Sequence, residues 1–249
     1  MGRGPLAADG GAGRVLIPRR FNGPPASANG GYASGLVARY IRRGPAEVSL
    51  RSPPPLDTAL EIRRTEDGRV QLCHRELLVA EGGPADPPDV EPPVRPTVAE
   101  AREALRRHPW RSARHPFSDC YVCGIGRHDG LGLHFGDLAR DPTMTAALLV
   151  ADATIPHDEH GLLPEIAWGA LDCPSYVPAL WSSDRPALLA WMHAELHEPI
   201  PLGEPIVACG WPVEAEGRKQ YTASALLAAD GRVLARARHL WVQPRASSA

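Results

Sequence analysis

The sequence predicts an α+β fold of two similar units, each an antiparallel sheet wrapped around one apolar helix. In each half, a strand-like segment is followed by one apolar helix and then by a run of alternating strands. The tetrapeptide Asp-Gly-Arg-Val also occurs at 67–70 and 230–233, with Leu and Val following at the same spacing. This matching order indicates an internal duplication. Such a sheet buries its helix on one face and leaves the other face to water.

Composition excludes several classes of protein. The chain has 249 residues, of which 43% are hydrophobic and 22% charged, as in ordinary globular proteins. The net charge of −2 gives no field that would attract nucleic acid. No apolar run approaches the roughly 18 residues of a membrane span, and the first residues lack a signal-peptide core. We therefore expect a cytoplasmic protein with reduced cysteines, which binds neither nucleic acid nor membrane.

The first half begins with a predicted strand at 14–20. An apolar helix follows from about 29 to 41, and then a strand at 46–52. The segment 59–81 contains a hairpin that turns at Asp67-Gly68, the usual short-range hairpin signal.

A change in composition separates the halves. The segment 82–96 is rich in proline and acidic residues, which predicts a linker rather than a central strand or a helix interior. A short helix is predicted at 97–110, with Thr97 as N-cap and Glu100 completing a capping box.

The second half repeats the order of the first. A strand is predicted at 143–155 and a helix at 163–180, which Pro174 and Pro178 bend or end. The remaining strands are predicted at 187–198, 204–217, 218–230 and 232–243. The predicted organisation is a disordered N-terminus at 1–13, an N-terminal unit at 14–81, a linker with its helix at 82–115 and a C-terminal unit at 116–249.

Two short motifs carry a resemblance. Asn29-Gly30-Gly31 begins the first helix, and Leu171-Asp172 lies within the second. This arrangement resembles the hotdog fold, here as a tandem (double) hotdog over 14–81 and 143–243. Many hotdog thioesterases carry His-Gly-Gly or Asn-Gly-Gly at the start of the central helix and a carboxylate further along it. The pattern FNGPPASANGGYASG with EIAWGALDCP resembles a group of actinobacterial thioesterase-like proteins.

The chain departs from that pattern in three ways. Asn29 stands where the family has histidine, and the first helix has no carboxylate. Aligning the helices places Glu165 opposite Asn29, so that Asp172 lies seven residues beyond this point, a fraction of a turn short of the position of the acid in the family pattern.

The resemblance implies a composite catalytic site between the halves. The backbone at Gly30 and Gly31 would hold a thioester carbonyl oxygen, since helix N-termini present unpaired N–H groups. Asp172 would serve as base or nucleophile, with Asn29 and Glu165 beside it. Other interpretations stay open: the glycines pack the helix tightly on its sheet, Asp172 caps a turn or pairs with an arginine, and Glu165 is a first-turn acid favoured by the helix dipole.

Further residues are candidates for binding the substrate. For each kind of side chain two interpretations stay open. An aromatic residue belongs to the core or to the pocket wall, and a strand hydroxyl holds a water molecule or faces solvent. A basic residue meets the phosphates of the substrate or is solvated at the surface. The candidates are Tyr32, Trp168, Thr222, Ser224, Arg218 and Lys219.

The segment DCYVCG places Cys120 and Cys123 in a Cys-x-x-Cys-Gly pattern, which resembles half of a zinc knuckle. The sequence has no second Cys-x-x-Cys, although His115, His128 and His134 are near in sequence. Three interpretations of the cysteine pair stay open: zinc ligands, a redox pair and a plain reduced turn. For the catalytic site itself, we expect no metal and no cofactor.

The function predicted from the resemblance is hydrolysis of an acyl-CoA or acyl-carrier-protein thioester. One alternative is a dehydratase or hydratase, but these enzymes usually pair a histidine with a carboxylate, and neither central helix has a histidine. The other is a non-catalytic acyl-binding or pathway-accessory protein. A homodimer is possible, and fold alone does not choose among these functions.

Overall fold

A computed structural model describes residues 13–41, 44–111, 116–181 and 186–245. Three α-helices lie in this part of the chain: α1 (Gly30–Ala38), α2 (Val98–Ala104) and α3 (Pro164–Asp172). The strands are β1 (Gly13–Leu16), β2 (Ala46–Leu50), β3 (Ala59–Arg64), β4 (Val70–His74), β5 (Leu77–Pro84), β6 (Gly136–Leu138), β7 (Asp141–Leu149), β8 (Leu188–Leu196), β9 (Ile206–Glu216), β10 (Lys219–Leu227) and β11 (Val233–Val242). The predicted disorder at 1–13 falls, except for Gly13, outside the described residues.

The strands form one 11-stranded sheet in the order β1-β3-β4-β5-β2-β8-β11-β10-β9-β7-β6. Counted from either edge towards the centre, the two halves have the same order, apart from the extra edge strand β6. The halves join through the antiparallel pairing of β2 with β8, in which Val48 lies opposite Met192. The large antiparallel sheet is as predicted, but the two expected sheets are one continuous sheet because this central pair hydrogen-bonds.

The two long helices pack against each other and against the sheet. Gly31 of α1 lies beside Asp172 of α3, and Gly35 lies beside Glu165. Since the start of one helix meets the end of the other, they run antiparallel. Both are buried over nearly their whole length, so the main core lies between this helix pair and the sheet.

The capping box predicted at the start of α2 is present in the structure. The Thr97 side chain accepts a hydrogen bond from the Glu100 N–H, and the Glu100 carboxylate accepts one from the Thr97 N–H, as a capping box requires.

Several boundaries differ from the prediction. The first strand ends at Leu16 and not at 20, α2 ends at Ala104 and not at 110, and the strand predicted at 143–155 ends at Leu149.

The segment 69–81, predicted as one arm of the hairpin, is two strands, because Arg75 takes a left-handed φ of 55° and turns the chain between β4 and β5. Strand β5 then continues through Gly82 and Gly83 to Pro84, although this segment was predicted to be linker. Gly82 fits there because a Cβ at this position would lie 2.5 Å from the Glu47 carbonyl oxygen of β2. The short strand β6 was missed.

No helix among the described residues is both long enough and apolar enough to cross a membrane.

Candidate active site

A cavity of about 370 Å³ opens where the start of α1 meets the end of α3. Its walls come from both halves and are largely apolar, with Leu50, Leu189, Tyr176 and Trp241 among them. Its polar and sulfur-bearing wall residues include Asn29, Asp172, Cys120, Cys123, Cys173 and Arg218. Its size lies within the range of small-molecule sites.

Asn29 connects the two helices through both ends of its amide. Its Oδ1 accepts from the Tyr32 N–H at 2.9 Å and caps α1. Because the cap fixes the orientation of the amide, Nδ2 points to α3 and donates to Asp172 Oδ2 at 2.8 Å. Asn29 is thus both the helix cap and a positioning residue for the carboxylate.

The two glycines after Asn29 have different surroundings. The Gly31 N–H donates to Asp172 Oδ2 at 2.8 Å, and a Cβ on Gly31 would lie 2.5 Å from Asp172 Cβ. The packing interpretation therefore holds for Gly31, whose N–H is already used. Gly30 lines the cavity, and its N–H, the first of α1, has no acceptor among the described residues.

Asp172 is buried, at 2% exposure. Burial raises the pKa of its carboxyl to about 7, and the nearby Cys120 acts in the same direction, while the hydrogen bonds from Gly31 and Asn29 oppose the rise. Its second oxygen, Oδ1, is also buried and has no hydrogen-bond partner in the part of the chain that the structure describes.

Three cysteines meet beside this carboxylate. The sulfur atoms of Cys120, Cys123 and Cys173 all lie within 4.8 Å of one another, and all three residues are buried. Hydrogen bonds from the other two cysteines, with Cys123 contributing more than Cys173, lower the pKa of the Cys120 thiol well below its usual value. The Cys-x-x-Cys pair is visible in the sequence, but Cys173 is 50 positions beyond Cys123 and only the packing of α3 brings it to the pair. His115, one of the histidines near the pair in sequence, lies outside the described residues.

Glu165 lies at the opposite end of the helix pair. Its Oε1 accepts from Arg39 Nη1 at 3.0 Å, and its side chain is 5% exposed. Each helix has nine residues, and their N-caps are Asn29 and Leu163. The counterpart of Asn29 is therefore Leu163, and the counterpart of Glu165 is Gly31, which corrects the alignment made from sequence.

With this register, the composite site has a pseudo-symmetric copy. The positions that correspond to Gly31 and Asp172 are Glu165 and Ala38, and the Glu165–Arg39 ion pair fills that end of the helix pair. Of the two equivalent ends, the cavity lies at the one with Asp172.

Most of the candidate binding residues lie away from the cavity. Tyr32 stacks on Phe21 with ring centroids 4.2 Å apart, and Trp168 packs against Gly35. Thr222 and Ser224 are fully buried, and Lys219 pairs with Glu216. Arg218 does line the cavity, where it donates to the Gln243 carbonyl at 2.6 Å.

Solved structures share this fold over almost the whole chain. A hot dog fold protein of unknown function from Alicyclobacillus acidocaldarius is 12% identical, with a TM-score of 0.65, over 97% of this chain and 96% of its own. This chain has the double hotdog fold. A candidate thioesterase II from Thermobifida fusca is 15% identical, with a TM-score of 0.63, over 94% of both chains. An acyl-CoA thioesterase II from Mycobacterium marinum is 13% identical, with a TM-score of 0.55, over 96% of this double hotdog and 94% of its own chain.

No protein-family model and no curated protein matches the sequence. At these identities, the similarity to solved structures establishes the fold of the double hotdog, and its site must be argued from its own residues.

Proposed function

We propose that this double hotdog hydrolyses acyl thioesters of coenzyme A or of an acyl-carrier protein. The observation that carries the proposal is that Asp172 and Gly30 line the same cavity. The carboxylate is held by two donors, while its other oxygen and the Gly30 N–H at the helix start have no partner among the residues that the structure describes.

In this proposal, the thioester carbonyl oxygen accepts a hydrogen bond from the Gly30 N–H. Negative charge that develops on this oxygen is stabilised by the N–H and by the positive end of α1, and a donor of this type contributes about 3–4 kcal/mol. Gly31 was expected to bind the carbonyl oxygen of the substrate together with Gly30. In this proposal its N–H instead holds the carboxylate of Asp172 in place.

Asp172 then acts on the carbonyl carbon through water or directly. As a base, it takes a proton from a water molecule whose oxygen attacks the carbon. The carbon–sulfur bond breaks, the sulfur receives the proton, and a carboxylic acid and a thiol leave. As a nucleophile, its free oxygen attacks the carbon first, the carbon–sulfur bond breaks, and the sulfur leaves as a thiolate that takes a proton from solvent. Water then hydrolyses the acyl anhydride, which releases the carboxylic acid and restores the Asp172 carboxylate.

Two features support the substrate class. The largely apolar wall suits an acyl chain, and Arg218 at the same cavity suits the phosphates of a coenzyme A or carrier arm. The Mycobacterium marinum neighbour is named an acyl-CoA thioesterase, which agrees with this class.

The test measures thiol release from a panel of acyl-CoAs of increasing chain length, for the wild type and Asp172→Asn. The control is Glu165→Gln, which changes the other buried carboxylate of α3 and keeps an acceptor for Arg39. We expect Asp172→Asn to lose at least ~10²-fold in turnover, the size typical of a lost general base. Glu165→Gln should stay within about twofold of the wild type.

Equal turnover of the wild type and Asp172→Asn would remove Asp172 from the mechanism. Saturable acyl binding without turnover on any substrate would favour an acyl-binding protein instead. After a single turnover in ¹⁸O water, solvent oxygen in Asp172 would establish direct attack, with water cleaving the anhydride at the aspartyl carbon.

A further inference from the structure

The three sulfurs beside the catalytic cavity have the spacing of metal ligands. Cys120 Sγ and Cys173 Sγ are 3.9 Å apart, and all three sulfurs fall within 4.8 Å. In a tetrahedral zinc site with Zn–S bonds of about 2.3 Å, the sulfurs are separated by about 3.8 Å. Among the described residues, this is the group of His, Cys, Asp and Glu side chains close enough to share an ion.

The loop that carries two of these cysteines is shaped around the first sulfur. The Gly124 N–H donates to the Cys120 carbonyl at 2.8 Å, and a Cβ on Gly124 would lie 2.5 Å from that oxygen. The N–H groups of Cys123 and Val122 point to the Cys120 sulfur. Glycine after the second cysteine is therefore required by this turn, which presents backbone donors to a thiolate.

A side chain outside the loop supports the cluster as well. Asn29 Nδ2 lies 3.9 Å from Cys120 Sγ and 3.8 Å from Cys173 Sγ, within hydrogen-bond range for sulfur. Donors of this kind stabilise thiolates and orient the ligands of a metal. A buried group of three neutral thiols has no need of these donors, whereas three thiolates require both the donors and a cation.

The third cysteine distinguishes a metal site from a redox pair. A disulfide needs two sulfurs, and the sequence-adjacent pair Cys120 and Cys123 would suffice. Instead Cys173, from the end of α3, completes a triangle with them. Three soft ligands select a soft or borderline cation, of which zinc is the common one in proteins.

We propose that Cys120, Cys123 and Cys173 bind one zinc ion as thiolates, with the fourth position left to a water molecule from the cavity. Binding releases the remaining thiol protons, and the ion joins the 116–124 loop to the end of α3. Zinc sites with three protein ligands and one exchangeable position are the open kind. The proposal stands independently of thioester hydrolysis.

The test measures zinc in the full chain purified without chelator, by elemental mass spectrometry. We expect about one zinc per chain in the wild type and less than a tenth of that in Cys123→Ser. The matched control is Cys209→Ser, which removes a buried cysteine of the second hydrophobic cluster. It should keep its zinc.

Two further measurements on the wild type do not depend on how the variants fold. Cobalt added to the zinc-free protein should give the visible bands of tetrahedral thiolate coordination, with sulfur charge transfer in the near ultraviolet. Alkylation followed by mass spectrometry should show zinc protecting three of the five thiols, namely the cluster cysteines. No bound metal, with equal alkylation of all thiols with and without zinc, would overturn the site. A Cys120–Cys123 disulfide that forms in air at stoichiometric zinc would also overturn it and would establish a redox pair.

Discussion

Gly31 and Asp172 join the two halves of the protein at the point where their central helices meet. The N–H of Gly31 donates to Asp172 Oδ2 at 2.8 Å, across 141 positions of sequence. The same contact leaves no room for a side chain, because a Cβ on Gly31 would lie 2.6 Å from the Trp168 carbonyl oxygen. Helix packing and the placement of the carboxylate therefore depend on one glycine.

Gly31→Ala should destabilise the protein by about 1–3 kcal/mol, because the helices must separate to admit the methyl group. The matched control is Gly169→Ala on α3, where the nearest atom to a new Cβ is 3.5 Å away. This second change should be neutral or stabilising by up to about 1 kcal/mol, since alanine favours helix. Urea unfolding of both variants checks the prediction, and equal losses would contradict the packing argument.

Asp172→Asn should separate stability from activity. The amide oxygen of asparagine can still accept from the Gly31 N–H, and a buried ionisable group is removed. We expect the free energy of unfolding to stay constant or to rise by about 1 kcal/mol, while thioester turnover falls. A variant that lost both would indicate that Asp172 is mainly structural. Thermal unfolding and turnover should be measured on one preparation.

Arg39→Met should cost about 3 kcal/mol of stability, because Glu165 would remain buried without its partner. The double variant Arg39→Met with Glu165→Gln should recover much of this loss, as it removes the uncompensated charge. A double-mutant cycle by urea unfolding gives the coupling. Thioester turnover should be little changed in the double variant, since the pair lies at the other end of the helix pair from the cavity.

His239 should make the protein sensitive to acid. It is fully buried, and burial lowers its pKa from 6.5 to about 3, with Ser224 Oγ 2.9 Å from Nε2. A lowered histidine pKa in the folded state means that the unfolded chain takes the proton first as pH falls below 6.5. Its contribution is therefore intact above pH 6.5 and is lost progressively between 6.5 and about 3, by up to about 1.4 kcal/mol per pH unit.

Replacing His239 with Gln, which can still bond Ser224, should flatten the pH dependence of the free energy of unfolding over this window. The comparison is the slope of stability between pH 6.5 and 4.5 in the two proteins. If the wild type and His239→Gln lose stability in parallel, other groups account for the acid sensitivity.

Arg218→Gln should raise the KM for acyl-CoA by about tenfold, equivalent to about 1.4 kcal/mol, and leave kcat nearly constant. The reason is that Arg218 lines the cavity and would meet the phosphates of the carrier and not the thioester. A short thioester without phosphates should show no change in KM. Lys219→Gln is the control, since Lys219 pairs with Glu216 outside the cavity. An equal rise in KM for both thioesters would place Arg218 against the acyl group.

The sequence by itself determined the elements and the chemical groups. Alternation and turn residues located most strands, Thr97 and Glu100 predicted their cap, and the residues around Asn29 and Asp172 were singled out before any contact was known. These signals are local, because a cap or a hairpin turn is decided within a few residues. The proposed limits of the two units are predictions of the same kind.

Only the tertiary structure decided which groups meet. Cys173 joins Cys120 across 53 positions, and Asn29 reaches Asp172 across 143. The correspondence between the two central helices also came from the structure. Their N-caps show that Leu163 matches Asn29, although the two residue types are unrelated. Two buried apolar helices can pack in several registers with similar apolar patterns. Close contacts at Gly31 and Gly35, which no local pattern encodes, select the one that brings carboxylate, amide and sulfurs together.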